Sequence, residues 1–385
     1  MILLFLMGIF LAGTMWELYY RYQWAKEITV DLWFESDIVY AKQETTLYEV
    51  IENKKRMPVP TLEVGFHTRR ELDFADTDNT QVSDYIYKRD IFSVLGSQKI
   101  VRKIPVKCTK RGRYQIDSAD LISYTLFYKK RYNKEISVST ELFVYAKKAD
   151  VSEIMTVCSH LLGVLQCARN LYEDPFAFRT IRDYTKEDPM KTINWKASAK
   201  MGTWMVNTFD SVRSQKAMIF LDVEDSGILK REELVEESIA ICATIIRKLL
   251  GQSVEVGFAY NAKDGGAGYL EMMMPSNKKS SLHKLEQGLA QYSAVDGTQD
   301  FGQMIDTIFQ DVFARSPLST DTLLLVITKN LNTSLLQKIT QYTQGIYQAL
   351  IVVPVFRGES KQRNFEQESS NRENIHVLIK EVERA

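Results

Sequence analysis

Three runs in the second half of the chain, AMIFLDV at 217–223, LLLVITK at 323–329 and ALIVVPVF at 349–356, constrain the fold more than any other feature. They are apolar almost throughout, where a strand with one wet face would alternate. Strands of that kind are buried on both sides, as in parallel sheets covered by helices. Between them lie stretches of helical period: 234–252 (LVEESIAICATIIRKLLGQ, with Gly251 as the expected stop), 281–292, 301–313 and 333–343. The alternation predicts an α/β domain over 216–356, a doubly wound sheet with helices on both faces. Within it VEVGFAY and YLEMMMP are joined by NAKDGGAG, whose glycines suit a hairpin. No Gly-Lys-Ser/Thr follows them, as a phosphate-cradling loop requires. Residues 357–385 form a polar tail in which HVLIK is predicted as an edge strand.

The first half has another rhythm. ITVDLWF, TTLYEVIEN, TLEVGFHT, SQKIVRKIPVKC, GRYQI and ISVSTELFVYA alternate with period two, which predicts an antiparallel, Ig-like β-sandwich over 25–150. The polar insertion at 73–90 is expected to be an exposed loop. KRGRY at 110–114 reads as a tight turn, with Gly112 in a backbone conformation other residues resist. A helix over 152–170 then leads into a segment, within 151–215, that links the sandwich to the α/β domain.

Residues 1–16 carry no charge, and Trp16, Tyr19, Tyr20, Tyr22 and Trp24 cluster at the end of the run. An apolar span with an aromatic belt predicts one transmembrane helix over 1–24. No basic start precedes the run and no small-x-small pattern follows it, so a cleaved leader is the weaker reading. Arg21 and Lys26 follow the span, which predicts a single-pass protein of the cell membrane with its bulk in the cytoplasm. The 49 basic residues balance 49 acidic ones at a pI near 6.9, so no nucleic-acid partner is expected. Cys108, Cys158, Cys167 and Cys242 include no C-x-x-C pair, and the four histidines lie singly. Zinc and a disulfide framework are therefore not expected, and free buried thiols are. No nucleophile–base pair or tuned pair of acids emerges, so no catalysis is expected.

Residues 182–210 read as strand, helix, strand. Asp188 followed by Pro189 is a helix-start pattern and Gly202 a stop. Ile193, Ala197 and Met201 share one helix face, with Trp195 and Ala199 on the next, and Trp195 is expected to be buried. Arg182, Asp183 and Tyr184 precede the helix, and Lys191, Lys196 and Lys200 lie along it. The plainest reading is a capped surface helix.

Asp222, Glu224 and Ser226 follow the first buried strand at alternate positions. Here the sequence resembles the von Willebrand A-type domain, whose metal-ion-dependent adhesion site uses Asp-x-Ser-x-Ser, a Thr and a distant Asp. Thr298 could serve as the threonine, but Glu224 replaces the middle serine and Lys329 stands where an aspartate is expected. Two states stay open: a metal-free polar strand end, or one Mg²⁺ held by Asp222, Glu224, Ser226 and Thr298. The whole chain resembles the bacterial domain-of-unknown-function-58 family. Its motif, R-x-Y-x-x-G-D-x-x-R-x-I-x-W-x-x-S/T-A-R/K, is met at Arg182, Tyr184, Asp188, Ile193, Trp195, Ser198, Ala199 and Lys200. Glu187 and Lys191 depart from it, and one span stands where the family commonly has two. Arg111, Gly112 and Tyr114 match the family's R-G-x-Y element.

The resemblance implies a membrane-tethered, non-catalytic interaction protein, a partner of a MoxR-type AAA+ ATPase in envelope or complex assembly. An extracytoplasmic metal-dependent adhesion module is one alternative. A metal-dependent envelope enzyme, suggested by Asp222, Glu224 and Asp225, is another. Arg182, Asp188 and Trp195 are expected to lock the helix onto the α/β domain and hold it against the sandwich.

Overall fold

The computed structural model describes residues 2–74, 80–82, 85–124, 130–169, 178–185, 188, 190–209, 215–225, 230–262, 272–277, 279–292, 297–343, 346–358 and 374–384. The chain divides into two compact units, one of Met1–Lys147 with Leu285–Tyr292 and one of Lys148–Lys284 with Ser293–Ala385.

The first unit opens with helix α1 (Ile2–Gln23). Its large side chains from Phe5 to Tyr19, Phe10 and Met15 among them, are exposed. At its end Tyr20 and Trp24 are buried: the Tyr20 hydroxyl lies 2.8 Å from Ser123 Oγ, and Trp24 stacks on Tyr132. The expected transmembrane segment is thus helical, but among the described residues no helix is long and apolar enough to cross a membrane.

Ten strands follow: β1 (Ile28–Phe34), β2 (Ile38–Tyr40), β3 (Glu44–Asn53), β4 (Val59–Arg69), β5 (Leu72–Phe74), β6 (Thr80–Val82), β7 (Tyr85–Val94), β8 (Gln98–Cys108), β9 (Gly112–Tyr124) and β10 (Arg131–Tyr145). One sheet has the order β1-β3-β8-β5 and the other β2-β10-β9-β4-β7-β6. Their inner faces share a core, with Leu32, Leu47 and Ile104 from the first meeting Phe66, Ile116 and Leu142 from the second. This is the sandwich the alternating runs predict, since one face of each strand must find an apolar partner. All pairings are antiparallel except β2 with β10.

Two expectations fail here. The insertion at 73–90 is not simply a loop: its last part enters β7, which pairs with β4, and Lys88 and Asp90 are buried. Its polar residues hid the strand, because they point inward. Nor does Gly112 hold a left-handed conformation. It is glycine because a Cβ there would lie 3.0 Å from the Tyr114 ring.

In the second unit, α2 (Ser152–Arg169) precedes the hairpin-like pair β11 (Phe178–Asp183) and β12 (Met205–Phe209), between which lie a 3₁₀ turn (Met190–Thr192) and α3 (Trp195–Met201). Then come β13 (Lys216–Leu221), α4 (Glu232–Gly251), β14 (Glu255–Tyr260), β15 (Met272–Ser276) and α5 (Lys279–Gln291), whose residues from Leu285 onward belong to the first unit. The chain ends with α6 (Phe301–Thr307), a π turn (Ile308–Val312), α7 (Phe313–Arg315), β16 (Thr322–Ile327), α8 (Thr333–Thr343), β17 (Ala349–Phe356) and β18 (Ile375–Val382). The sheet order is β15-β14-β13-β16-β17-β18, parallel except for β15.

Met218, Phe220, Leu324 and Val326 share a core with Met304 of α6, Ile308 of the π turn and Leu336 of α8. Helices α4 and α2 lie against strands of the same sheet. Both faces are covered, which is why β13, β16 and β17 carry no alternation. The hairpin residues 263–270 and the tail 359–373 lie outside the described residues. Cys108, Cys158 and Cys242 are free and buried. Burial pushes the Cys108 thiol up to about 11 and the Cys158 thiol to about 12, which keeps both protonated and unreactive.

Candidate functional site

Strand order reverses between β13 and β16, and in open α/β sheets ligands bind beyond the carboxyl ends of the strands at such a point. Asp222 follows β13, Asn261 follows β14 and Thr328 follows β16, so three adjacent strands deliver polar side chains to one place. All three are buried. One Asp222 oxygen accepts from the Glu224 amide at 2.9 Å and from Asn261 Nδ2 at 3.0 Å. The other accepts from Thr328 Oγ1 at 2.7 Å and Asn330 Nδ2 at 3.3 Å. Asn261 also takes the Val223 amide on Oδ1 and donates to the Gln299 carbonyl. Asn330 donates to the Glu224 carbonyl at 3.1 Å. Burial pushes the Asp222 carboxyl up from its ordinary value, and Thr328, the Glu224 amide and Asn261 pull it back.

Lys329 is buried and pairs with Asp225, whose oxygens also accept from the Arg231 amide at 2.9 and 3.1 Å. Of the residues expected to hold a metal, Asp222 lies at the centre, while Glu224 enters through its backbone. Thr298 is brought to the same corner by its bridge with Ala262, one residue from Gln299. Ser226 lies outside the described residues. A cation on Asp222 would have to displace donors from both carboxylate oxygens, with the Lys329 ammonium held on the neighbouring Asp225. Among the described residues no group of three or more His, Cys, Asp or Glu could hold a metal ion. The described set does not fit Mg²⁺, which demands near-octahedral oxygen ligands. Asn261, Thr328 and Asn330 are the members sequence reasoning missed. Their signal was there, since each is the first polar residue, or nearly so, after an apolar strand.

The motif segment is folded by short-range bonds. Arg182 donates from Nη1 and Nη2 to the two oxygens of Asp188 at 2.7 and 2.6 Å, and Asp188 accepts from the Thr185 amide and hydroxyl at 2.8 Å each. The Arg182 fork first, then Thr185, holds the Asp188 carboxyl well below the usual carboxylate range. Asp188 is therefore no helix cap, contrary to expectation. The cap is Asn194, whose side chain accepts from Ala197 N, and Gly202 ends α3 at φ 73° as predicted. Pro189 and Glu187 lie outside the described residues. Ile193 is buried, but Trp195 is 66% exposed, which overturns the reading of a buried indole that locks the helix. Its helix is a single short stretch, so the residue at its first position points to solvent. Asp183 closes β11, and Lys191, Lys196 and Lys200 are exposed. Tyr184 donates its amide to Trp204 and meets that ring edge-on at 5.4 Å.

Arg111 has a role that sequence did not reveal. Within the first unit its guanidinium donates to the carbonyls of Leu289, in the last turn of α5, and of Tyr292, just beyond it (2.8 Å to the latter), and sits 5.4 Å over the Tyr292 ring. Carbonyls at a helix C-terminus point beyond the helix, so a buried cation there serves them and the helix dipole together. Tyr114 donates its hydroxyl to the Lys110 carbonyl at 2.8 Å and closes the loop that holds Arg111.

Residues 180–332 match the model of a family described as "Protein of unknown function DUF58". That is the family the motif resembles, and the matched span contains the motif from Arg182 onward and the strand-end cluster through Asn330. No curated protein matches the chain. Among solved structures, a CARDB domain from Pyrococcus furiosus in complex with di-metal ions is 14% identical, covers 29% of this chain and 94% of its own, and has a TM-score of 0.19. A non-cellulosomal cohesin from Archaeoglobus fulgidus is 13% identical over 33% of this chain and 96% of its own, with a TM-score of 0.20. A cohesin from Acetivibrio cellulolyticus, solved with a dockerin, is 15% identical over 30% and 98%, also at 0.20.

Proposed function

We propose that this chain is a membrane-anchored, non-catalytic protein-interaction module that works with a MoxR-type AAA+ ATPase in assembling envelope or other complexes. Its C-terminal sheet is read as von Willebrand A-like with the metal seat closed, and its sandwich as Ig-like. The observation that carries the reading is the saturation of Asp222. A carboxylate that accepts four hydrogen bonds from its own fold has little left for a metal, and Lys329 balances the neighbouring Asp225. Such a corner favours recognition by shape over turnover. The uncharged run at 1–16 and the exposed apolar side chains of α1 support anchoring, with Arg21 and Lys26 favouring a cytoplasmic bulk.

The test uses the full chain in neutral detergent, immobilised and offered a purified MoxR-type ATPase with Mg²⁺ or with EDTA. Equal retention in both is the expected result. Retention only with Mg²⁺ would overturn the closed seat, and retention in neither would overturn the partner. Titration calorimetry with Mg²⁺ alone should give no heat of binding.

A further inference from the structure

The segment between β11 and β12 shows a surface that the fold itself does not use. Met190, Trp195, Met201 and Trp204 are 61%, 66%, 64% and 52% exposed within fifteen residues. Lys191, Lys196 and Lys200 stand among them, and no acidic residue occurs from 190 to 207. The support beneath is cross-linked by hydrogen bonds. Asn194 caps α3 and donates from Nδ2 to Asn207 at 2.7 Å, while Ser198 Oγ donates to the Asn194 carbonyl at 2.8 Å and accepts from the Met205 amide at 2.9 Å. Ile193 and Val206, both buried, bridge the base. Large apolar side chains held out on a fixed platform mark an interaction site, since solvent gives no return for holding them there.

We infer that this platform docks an acidic segment of a partner protein, one carrying carboxylates beside apolar side chains. Charge and spacing make the case. Lys196 and Lys200 are one helical turn apart and form a row directly beside the row of Trp195 and Ala199. A segment laid along the helix meets the ammonium row with carboxylates and the indole row with apolar groups at once. Trp anchors with flanking charge are the composition of binding hot spots. The inference deepens the reading of the chain as an interaction module and does not depend on the ATPase being the partner.

The test uses the full chain in phosphatidylcholine nanodiscs. The probe is a labelled amphipathic peptide with glutamates along one face and leucines along the other, compared with its lysine-for-glutamate counterpart by anisotropy. The acidic peptide should bind about tenfold or more tightly than the basic one, and salt should weaken it. Lys196→Glu with Lys200→Glu, and separately Trp195→Ser with Trp204→Ser, should each weaken it by about tenfold or more. These positions are exposed, so unchanged circular dichroism and melting would show that both variants fold. Equal affinity for the two peptides, or binding untouched by the charge reversal, overturns the inference. So does a blue shift of Trp195 and Trp204 emission in phosphatidylglycerol discs with no discrimination between peptides, which would assign the platform to a lipid surface. Failure of ATPase retention with the peptide result intact would remove the proposed partner and keep the platform.

Discussion

The most deeply buried acid described in each unit is treated in a different way. Asp222 in the α/β unit and Glu49 in the sandwich are each 1% exposed. Asp222 accepts four hydrogen bonds. Neither oxygen of Glu49 has a hydrogen-bond partner among the described residues. Cations are near: Arg102 is the cross-strand partner of Glu49, and Lys88 is fully buried on β7. Yet Arg102 pairs with Asp90 at 2.7 Å and Lys88 lies 3.9 Å from it, so the cations serve the other acid. Burial first, and then the Asp90 charge, push the Glu49 carboxyl up to about 8 against Arg102 and Lys88. Burial pushes the Asp222 carboxyl up as well, but there Thr328, the Glu224 amide and Asn261 pull it back, whereas Glu49 has no such donors.

Isosteric amides should separate the two cases, and Asp222→Asn carries the largest expected effect. The new amide would turn an N–H₂ toward the donors of Asn261 and the Glu224 amide or toward those of Thr328 and Asn330. Leaving buried donors unpaired at one site costs about 3 kcal/mol or more. Denaturant unfolding of the second unit, followed at several pH values, measures it. A variant as stable as the wild type would mean that the network does not hold the strand ends.

Glu49→Gln should act the other way. The unfolded chain releases this proton near 4.5 and the folded sandwich near 8, so folding takes up a proton between those values. Stability contributed by the neutral acid is fully present below about 4.5, falls as pH rises, and is lost above about 8. Linkage of this size is worth about 3 kcal/mol after allowance for relaxation of the site. The glutamine variant should flatten the pH profile in that window and be the more stable protein at pH 8. A wild-type melting temperature with no slope between pH 5 and 8, attributable to the first unit, would place donors on Glu49 after all.

Arg111→Met tests whether the first unit relies on a paired cation elsewhere. Removing the guanidinium strands the carbonyls of Leu289 and Tyr292, at about 2 kcal/mol. Amide exchange should quicken first across Leu285–Tyr292. Unchanged protection there would show that the helix end is held by packing alone.

What could be read in the sequence follows from where each signal resides. The runs at 217–223, 323–329 and 349–356 declare strands buried on both faces, because covering helices remove any need for alternation. The sandwich strands declare themselves by alternation for the opposite reason. The strand at 85–94 escaped, since Lys88 and Asp90 occupy inward positions where the pattern expects apolar groups. Asp222 was legible as a strand-end acid, but its side-chain donors Asn261, Thr328 and Asn330 lie 39 to 108 positions away and no local pattern pairs them with it. Arg111 was legible as part of a turn, whereas its acceptors lie far along the chain. Gly112 was read as a glycine of special backbone conformation, whereas its constraint is the Tyr114 ring beside it.

Trp195 carries the smallest expected effect on stability and sharpens the comparison of inside with outside. The periodic pattern around it suggests a buried indole, and a buried one would cost about 3–5 kcal/mol on truncation. At 66% exposure it has little burial to lose, so Trp195→Ala should change the unfolding free energy by about 0.5 kcal/mol or less. Chemical unfolding of the full chain in neutral detergent reads the difference. A loss of several kcal/mol would mean that the indole is covered in the working protein, and the platform would then be a packing surface of the chain itself. A negligible loss, together with weakened peptide binding by the Trp195→Ser, Trp204→Ser pair, would separate the motif into two parts. Arg182, Asp188, Asn194 and Ser198 build the platform, and Trp195 with Lys196 and Lys200 present it.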